Sequence, residues 1–250
     1  ALQDGGVRLV AMTAASNVTG DLLPVDQIVS LAHTHEALVL IDAAQTAGWW
    51  DLDLPALGAD LVLHSATKYL GGHSDITAGA VMASQILIDQ IAPWRKNLGQ
   101  VPAPEVASLL CRSIRTLVLR VERQNNTALK VAEAMAAQPG VKRVLYPGLP
   151  DFPGYDLARR QMRGFGGMLT LELEGGLMDT ARVADRFEII RIGPSLGGAE
   201  SLCTQPVMTS HYDMTEEERA QRGITESMMR ISIGFEDPED LIGDLRGAIQ

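Results

Sequence analysis

What most constrains this chain is the alternation in its first third, where short apolar runs are separated by turns and helical patterning. Val7–Met12 reads as a strand and Asn17–Thr19–Gly20 as a turn. From Pro24 onward, Val25, Ile28, Val29 and Ala32 fall on one face at the helical period. Pro24 suits a first helical turn, where its missing N–H is not needed. Leu38–Ile41 is a continuous apolar run, the pattern of a parallel strand buried on both faces. Leu54–Leu57 reads as a short helical turn and Asp60–Leu63 as the next strand. The order is βαβαβ, which favours a parallel sheet with right-handed crossovers.

Beyond this unit the pattern changes. Ala78–Ala83 reads as a strand, Ile86–Ile91 and Glu105–Arg115 as helices, and Thr116 to Ala137 as one long helix ended by Pro139 and Gly140. Strands are then expected at Val141–Tyr146, Gly167–Leu173, Glu188–Ile192 and Met229–Ile233, with helices at Asp179–Arg186, Thr215–Arg222 and Pro238–Ile249. The shift from repeated βα units to an α+β mixture places a domain boundary within Thr116–Gly140, dividing the chain into residues 1–125 and 126–250. At 250 residues the chain is large enough to hold a core without disulfides or a metal. The 21 Lys and Arg against 31 Asp and Glu leave a net charge of −10, which repels phosphate backbones and anionic lipid. Nucleic acid and membrane are therefore not expected partners. Cys111 and Cys203 are far apart and lack zinc-ligand spacing, so a reducing, cytoplasmic setting is expected.

Ligands of open α/β sheets bind beyond the carboxyl ends of the strands. Asp42 closes one strand, and His64-Ser65-Ala66-Thr67-Lys68 follows the next, with Gly71-Gly72 just after. Singly, such residues serve equally as helix caps, turn residues or surface charges. Together they match the needs of pyridoxal phosphate: a lysine to carry it, hydroxyl donors for its phosphate, and an acid facing its ring nitrogen. Lys68, Ser65 with Thr67, and Asp42 supply these in turn. A lysine released by substrate is also a general base over the Cα proton.

The run HSATKYLGGHSD (His64–Asp75) resembles the lysine signature of the Cys/Met-metabolism family of pyridoxal-phosphate enzymes, which includes cystathionine γ-synthase, cystathionine γ-lyase and methionine γ-lyase. RKNLGQ (95–100), RTLVLR (115–120), RRQMRGFGGM (159–168), SLGGAESL (195–202) and MRISIGFEDPEDLIGDL (229–245) resemble later blocks of that family in order and spacing. The resemblance covers essentially the whole chain. It implies fold-type I: the later half of the large parallel-sheet domain, followed by a C-terminal α+β domain. It implies that Lys68 carries the cofactor, Asp42 pairs with the pyridine nitrogen, and Ser65 and Thr67 bind phosphate. Arg230 would hold the substrate α-carboxylate as a planar fork. Ser195 would line the same pocket, and Asn17 would lie near the cofactor's phenolic oxygen and the carboxylate. The implied reaction is β/γ-elimination or γ-replacement on a small sulfur-containing or O-acylated amino acid, in a homodimer or homotetramer.

Two features depart from the family. ASNVTG with LIDAAQTAG is similar to the class V aminotransferase and cysteine desulfurase group, in which a Gln three residues after the Asp bonds the phenolic oxygen. Gln45 holds that place, or it caps the following turn. A sulfur-transfer enzyme of that group would need a persulfide-carrying Cys on a mobile loop. Second, the family's N-terminal part, with its phosphate loop and ring-stacking tyrosine, has no counterpart here, so the chain is expected to be a fragment or one part of a longer protein. An inactive scaffold is then a third reading. His64, His73 and Asp75 fit the lysine motif better than a metal site. His33 and His35 are expected at the surface, Trp49-Trp50 at a sheet edge or interface, and Cys203 as a buried bystander.

Overall fold

The computed structural model describes residues 2, 5–46 and 58–250; the expected helical turn at Leu54–Leu57 and Trp49-Trp50 lie outside them. Four strands form the first sheet in the order β1 (Leu9–Thr13), β2 (Leu38–Asp42), β3 (Leu61–Ser65) and β4 (Gly79–Ala83). The first three are parallel, with Thr13 opposite Asp42 and Asp42 opposite Leu63, and β4 returns antiparallel along β3. The parallel order thus stands as the alternation implied. Helix α1 (Val25–Thr34) crosses between β1 and β2, burying Val25, Val29 and Ala32. Pro24 sits at the N-cap, one residue ahead of the first turn.

Burial on both faces was expected for β2 and is not observed. Val39 and Ile41 are fully buried, whereas Leu38 is 40% exposed and Leu40 half-buried. The buried face packs against α1 and the long helix, and the half-open face is the one that carries Asp42.

Helices α2 (Gln85–Asn97) and α3 (Pro104–Ile114) follow, then the long helix α4 (Leu117–Ala136). α4 serves two cores. Val121 joins Val39, Ile41 and Val62, while Ala128, Val131, Ala132 and Met135 join Leu169, Leu171, Ile231 and Leu241. The division at residues 125 and 126 falls inside this one helix.

The second sheet runs β5 (Val141–Leu145), β6 (Met168–Leu173), β9 (Met228–Ser232), β8 (Leu202–Thr204) and β7 (Arg191–Ile192). Helices α5 (Tyr155–Gln161), α6 (Leu177–Asp185), α7 (Glu216–Gln221) and α8 (Pro238–Ile249) complete the chain. α5 and β8 had no signal in the apolar pattern. A strand expected over Glu188–Ile192 is only two residues long. The Asp244 carboxylate on α8 accepts the N–H groups of Glu188, Ile189 and Ile190 at 2.8–3.1 Å, so those amides are bonded by a side chain instead of a neighbouring strand.

Replacing Asp244 leaves three amides without their acceptor, with Ile190 nearly buried. Asp244→Ala is expected to lower unfolding free energy by about 2–4 kcal/mol. Urea denaturation checks this, and an unchanged midpoint would show that water replaces the carboxylate.

Candidate active site

The Lys68 segment breaks from regular backbone at the end of β3. After Ser65 the chain enters a five-residue turn, Ala66–Leu70, in which Lys68 leaves helical geometry (φ −90°, ψ −131°). Gly71 N–H bonds the Ala66 carbonyl at 2.8 Å, and Gly72 N–H the Lys68 carbonyl at 2.7 Å. The loop into β4 closes the other side. Thr67 N–H donates to the Ala78 carbonyl at 3.2 Å, and Thr67 Oγ1 accepts Ala78 N–H at 3.1 Å.

From this turn Lys68 reaches across to the second half of the chain, its Nζ donating to Ser195 Oγ at 3.2 Å. Burial lowers the Lys68 pKa from its ordinary value, and the Arg230 charge lowers it further. The amine is therefore neutral over a wider pH range than a solvated lysine, as a nucleophile or general base requires.

Arg230 stands in the middle of β9, a strand whose five residues are all buried. It is 3% exposed, and its Nη2 donates to the carbonyls of Pro194 (2.8 Å) and Ser195 (3.2 Å). Its Nε is buried without a partner among the described residues. The 194–195 loop therefore touches Arg230 through its backbone and Lys68 through its hydroxyl.

Register places the acid. Asp42 is opposite Leu63 on the adjacent parallel strand, so Asp42, Leu63 and Ser65 share one sheet face at its carboxyl end. Asp42 Oδ1 accepts Ala44 N–H at 2.9 Å, a local turn bond that fixes the carboxylate. His64 was given no role by its sequence position. It is 4% exposed with Nδ1 unpartnered among the described residues, and burial lowers its pKa although Asp42 acts to raise it. A buried neutral imidazole leaves no signal in sequence periodicity.

Asn17 and Gln45 line one cleft together with Met162, Phe165 and Thr170. Gln45 Oε1 is buried and lacks a partner among the described residues. Thr170 Oγ1 donates to the Val18 carbonyl at 2.6 Å, holding the turn that carries Asn17 against β6, and Thr170 is opposite Arg230 on β9. Hydrogen bonds thus join Lys68, Ser195 and Arg230, register brings Asp42 and Ser65 to one face, and Asn17 and Gln45 meet in a cleft. Cys203 is buried in β8, where burial pushes its thiol up to about 12, and Cys111 lies exposed on α3. Neither is on a loop.

A parallel sheet ending in an acid, with an irregular lysine turn facing a buried arginine, is the scaffold of a fold-type I pyridoxal-phosphate enzyme. The chain belongs to the Cys/Met metabolism PLP-dependent enzyme family, whose model matches residues 1–250. It is 40% identical over 249 residues to a chloroplastic cystathionine gamma-synthase of Nicotiana tabacum, covering all of this chain and 46% of that protein. It is 42% identical over 246 residues to an L-methionine gamma-lyase of Pseudomonas deceptionensis, covering 97% of this chain and 61% of that one. In structure it is similar to a cystathionine gamma-lyase of Micromonospora echinospora, with a TM-score of 0.93 at 35% identity, covering 100% of this chain and 65% of the other. A cystathionine gamma-synthase of Xanthomonas oryzae, solved with aminoacrylate and cysteine, gives a TM-score of 0.91 at 37% identity over 97% and 62%. The chain spans about half to two thirds of the length of these relatives.

The lowered Lys68 pKa has a stability consequence with a definite sign. The folded state binds this proton less tightly than the unfolded chain does. The penalty is therefore full below the folded value, relieved as pH rises toward about 10.4, and gone above it. Lys68→Met is expected to raise the melting temperature near pH 7 by a few degrees, with the gain shrinking toward pH 10. A gain that is constant with pH would mean that packing, and not charge, is responsible.

Proposed function

We propose that this chain supplies the cofactor lysine, the ring-nitrogen acid and the carboxylate-binding arginine of a pyridoxal-phosphate enzyme. The reaction is β/γ-elimination or γ-replacement on a sulfur-containing or O-acylated amino acid, of trans-sulfuration type. The observation that carries the reading is the reach of Lys68 Nζ to Ser195 Oγ, on the loop whose carbonyls hold Arg230. The polar groups present suit the cofactor and an anionic substrate, because Gln45 Oε1, an acceptor, and Arg230 Nε, a donor, are buried and lack partners among the described residues.

When bound, the pyridinium ring supplies an electron sink for charge developing at the substrate Cα. Asp42 would keep the proton on the ring nitrogen, and the hydroxyls of Ser65 and Thr67 would donate to phosphate oxygens. Gln45 would face the phenolic oxygen. Arg230 would turn its fork to the substrate carboxylate, with Asn17 beside it, fixing the Cα–H bond toward Lys68. The neutral Lys68 amine would take the Cα proton and return it later in the cycle. Ser195 Oγ accepts from Nζ and so aims the amine.

Residues 1–125 would act as the cofactor-facing part and residues 126–250 as the small domain, with the two cores meeting along α4. Assembly as a homodimer or homotetramer is supported by the apolar surface that α2 and the start of α4 leave open. Trp94 and Leu119 are both 68% exposed. A cytoplasmic setting suits its two unpaired cysteines.

Titration with pyridoxal phosphate is expected to give a visible absorbance band in the wild-type chain and none in Lys68→Ala. Borohydride trapping should place the adduct on Lys68. A band that survives in Lys68→Ala sinks the lysine assignment, and no band in the wild type favours a scaffold. In a preparation that turns over, Arg230→Leu is expected to raise KM for the amino acid by 100-fold or more, on the order of 3 kcal/mol for a charged hydrogen-bonded contact. Release of 2-oxo acid measured against substrate concentration reads this.

A further inference from the structure

Helix α4 carries a buried polar row, Arg120, Gln124 and Thr127, on its inner face. A buried guanidinium has five N–H groups to satisfy. Arg120 gives Nη1 to the Tyr69 carbonyl at 2.8 Å, and Nη2 to the carbonyls of Ser113 at 2.9 Å and Leu70 at 3.3 Å. Its Nε donates to Thr116 Oγ1 at 3.2 Å. Among the described residues no carboxylate forms an ion pair with it.

Tyr69 and Leu70 are the two residues after Lys68, and Ser113 lies in the last turn of α3. One planar group therefore ties the lysine turn to the α3–α4 junction. Gly72 is shaped to admit it: a Cβ there would overlap Arg120 Nη1, and its φ of +68° is itself a glycine conformation. One helical turn further on, Gln124 Nε2 donates to the carbonyls of Gly198 (2.9 Å) and Ile233 (3.0 Å). These belong to the loop after Ser195 and the segment after Arg230. The same face of α4 thus grips both sides of the Lys68–Ser195 bond.

We infer that Arg120 is a positioning residue for Lys68, its fork fixing the Tyr69 and Leu70 carbonyls and so the place of Nζ against Ser195. The consequence for catalysis rests on the reading of Lys68 as the cofactor lysine. The geometric claim does not. The rigid fork is what spans two chain segments here, and the single nitrogen of a lysine could not reach the same set of oxygens.

The test is pH-dependent acetylation of Lys68 by acetic anhydride, read by mass spectrometry against the exposed Lys96, Lys130 and Lys142, and needs no cofactor. In the wild type Lys68 should titrate below those three references. In Arg120→Lys, which keeps the charge and loses the fork, Lys68 should titrate with the references, and its borohydride-trapped pyridoxal-phosphate adduct should fall at least tenfold. Thr116→Val removes one partner of the fork and should shift Lys68 the same way by less, which keeps the test alive if Arg120→Lys does not fold. Val131→Ala, a core variant further along α4, should destabilise the chain and leave the Lys68 titration unchanged. The inference is overturned if Arg120→Lys and Thr116→Val both titrate as wild type, or if Val131→Ala shifts Lys68 equally. If the titration moves as expected but the wild type forms no adduct, the positioning role stands and the cofactor reading falls.

Discussion

Burying Arg230 with no carboxylate paired to it among the described residues requires that its charge be met by backbone oxygen, and the carbonyls of Pro194 and Ser195 meet it. That requirement shapes much of what surrounds it. The 194–195 loop must stay close to β9, which puts the Ser195 hydroxyl within reach of Lys68. Gly197 N–H donates to Ser232 Oγ at 2.9 Å, pinning the same loop to the end of the strand. Gly197 has a φ of +72°, and a Cβ there would crowd the Tyr69 backbone and ring. The loop and the lysine turn are therefore packed backbone to backbone, and a side chain at this position would push them apart.

A cation held by carbonyl dipoles differs from one in an ion pair. A carboxylate partner would have cancelled the Arg230 charge, whereas carbonyls stabilise it and leave most of its field in place. That field is one of the two causes lowering the Lys68 pKa, the other being burial. The same arrangement that anchors the strand thus prepares the amine, and it leaves Nε as a donor for an incoming anion. Arg120 is also held by carbonyls, and two of them belong to Tyr69 and Leu70, so its bonds fall on the backbone of the lysine turn itself.

Much of this was legible in the chain because it depends on short-range pattern. The parallel order of β1, β2 and β3 followed from apolar runs separated by a helical period, and Asp42 and the Lys68 run stood at strand ends where ligands bind. The motif blocks located Ser195 and Arg230 and, with them, the family. What escaped depends on partners distant in sequence. The strand expected over Glu188–Ile192 forms only at Arg191–Ile192, because nothing local reveals that Asp244, more than fifty residues on, takes the amides of Glu188, Ile189 and Ile190. The half-open face of β2 escaped for the same reason, since an apolar run does not say what will cover it. Arg120 and Gln124 were visible only as polar letters in a helix, and the partners that tie them to the site, Tyr69, Leu70, Gly198 and Ile233, lie 50 to 109 residues away.

The bond from Thr170 to Val18 spans 152 residues. During synthesis from the N-terminus, the turn with Asn17 and the strands with Asp42 and Ser65 emerge long before β6 exists to receive them. Closing so long a loop carries an entropy cost that local contacts do not repay, so pairing of this kind is late and slow. The early strands can cover Val39, Ile41 and Val62 with α1 and with Val121 of the long helix, but the turn that carries Asn17 gains its bond to Thr170 only once β6 has formed.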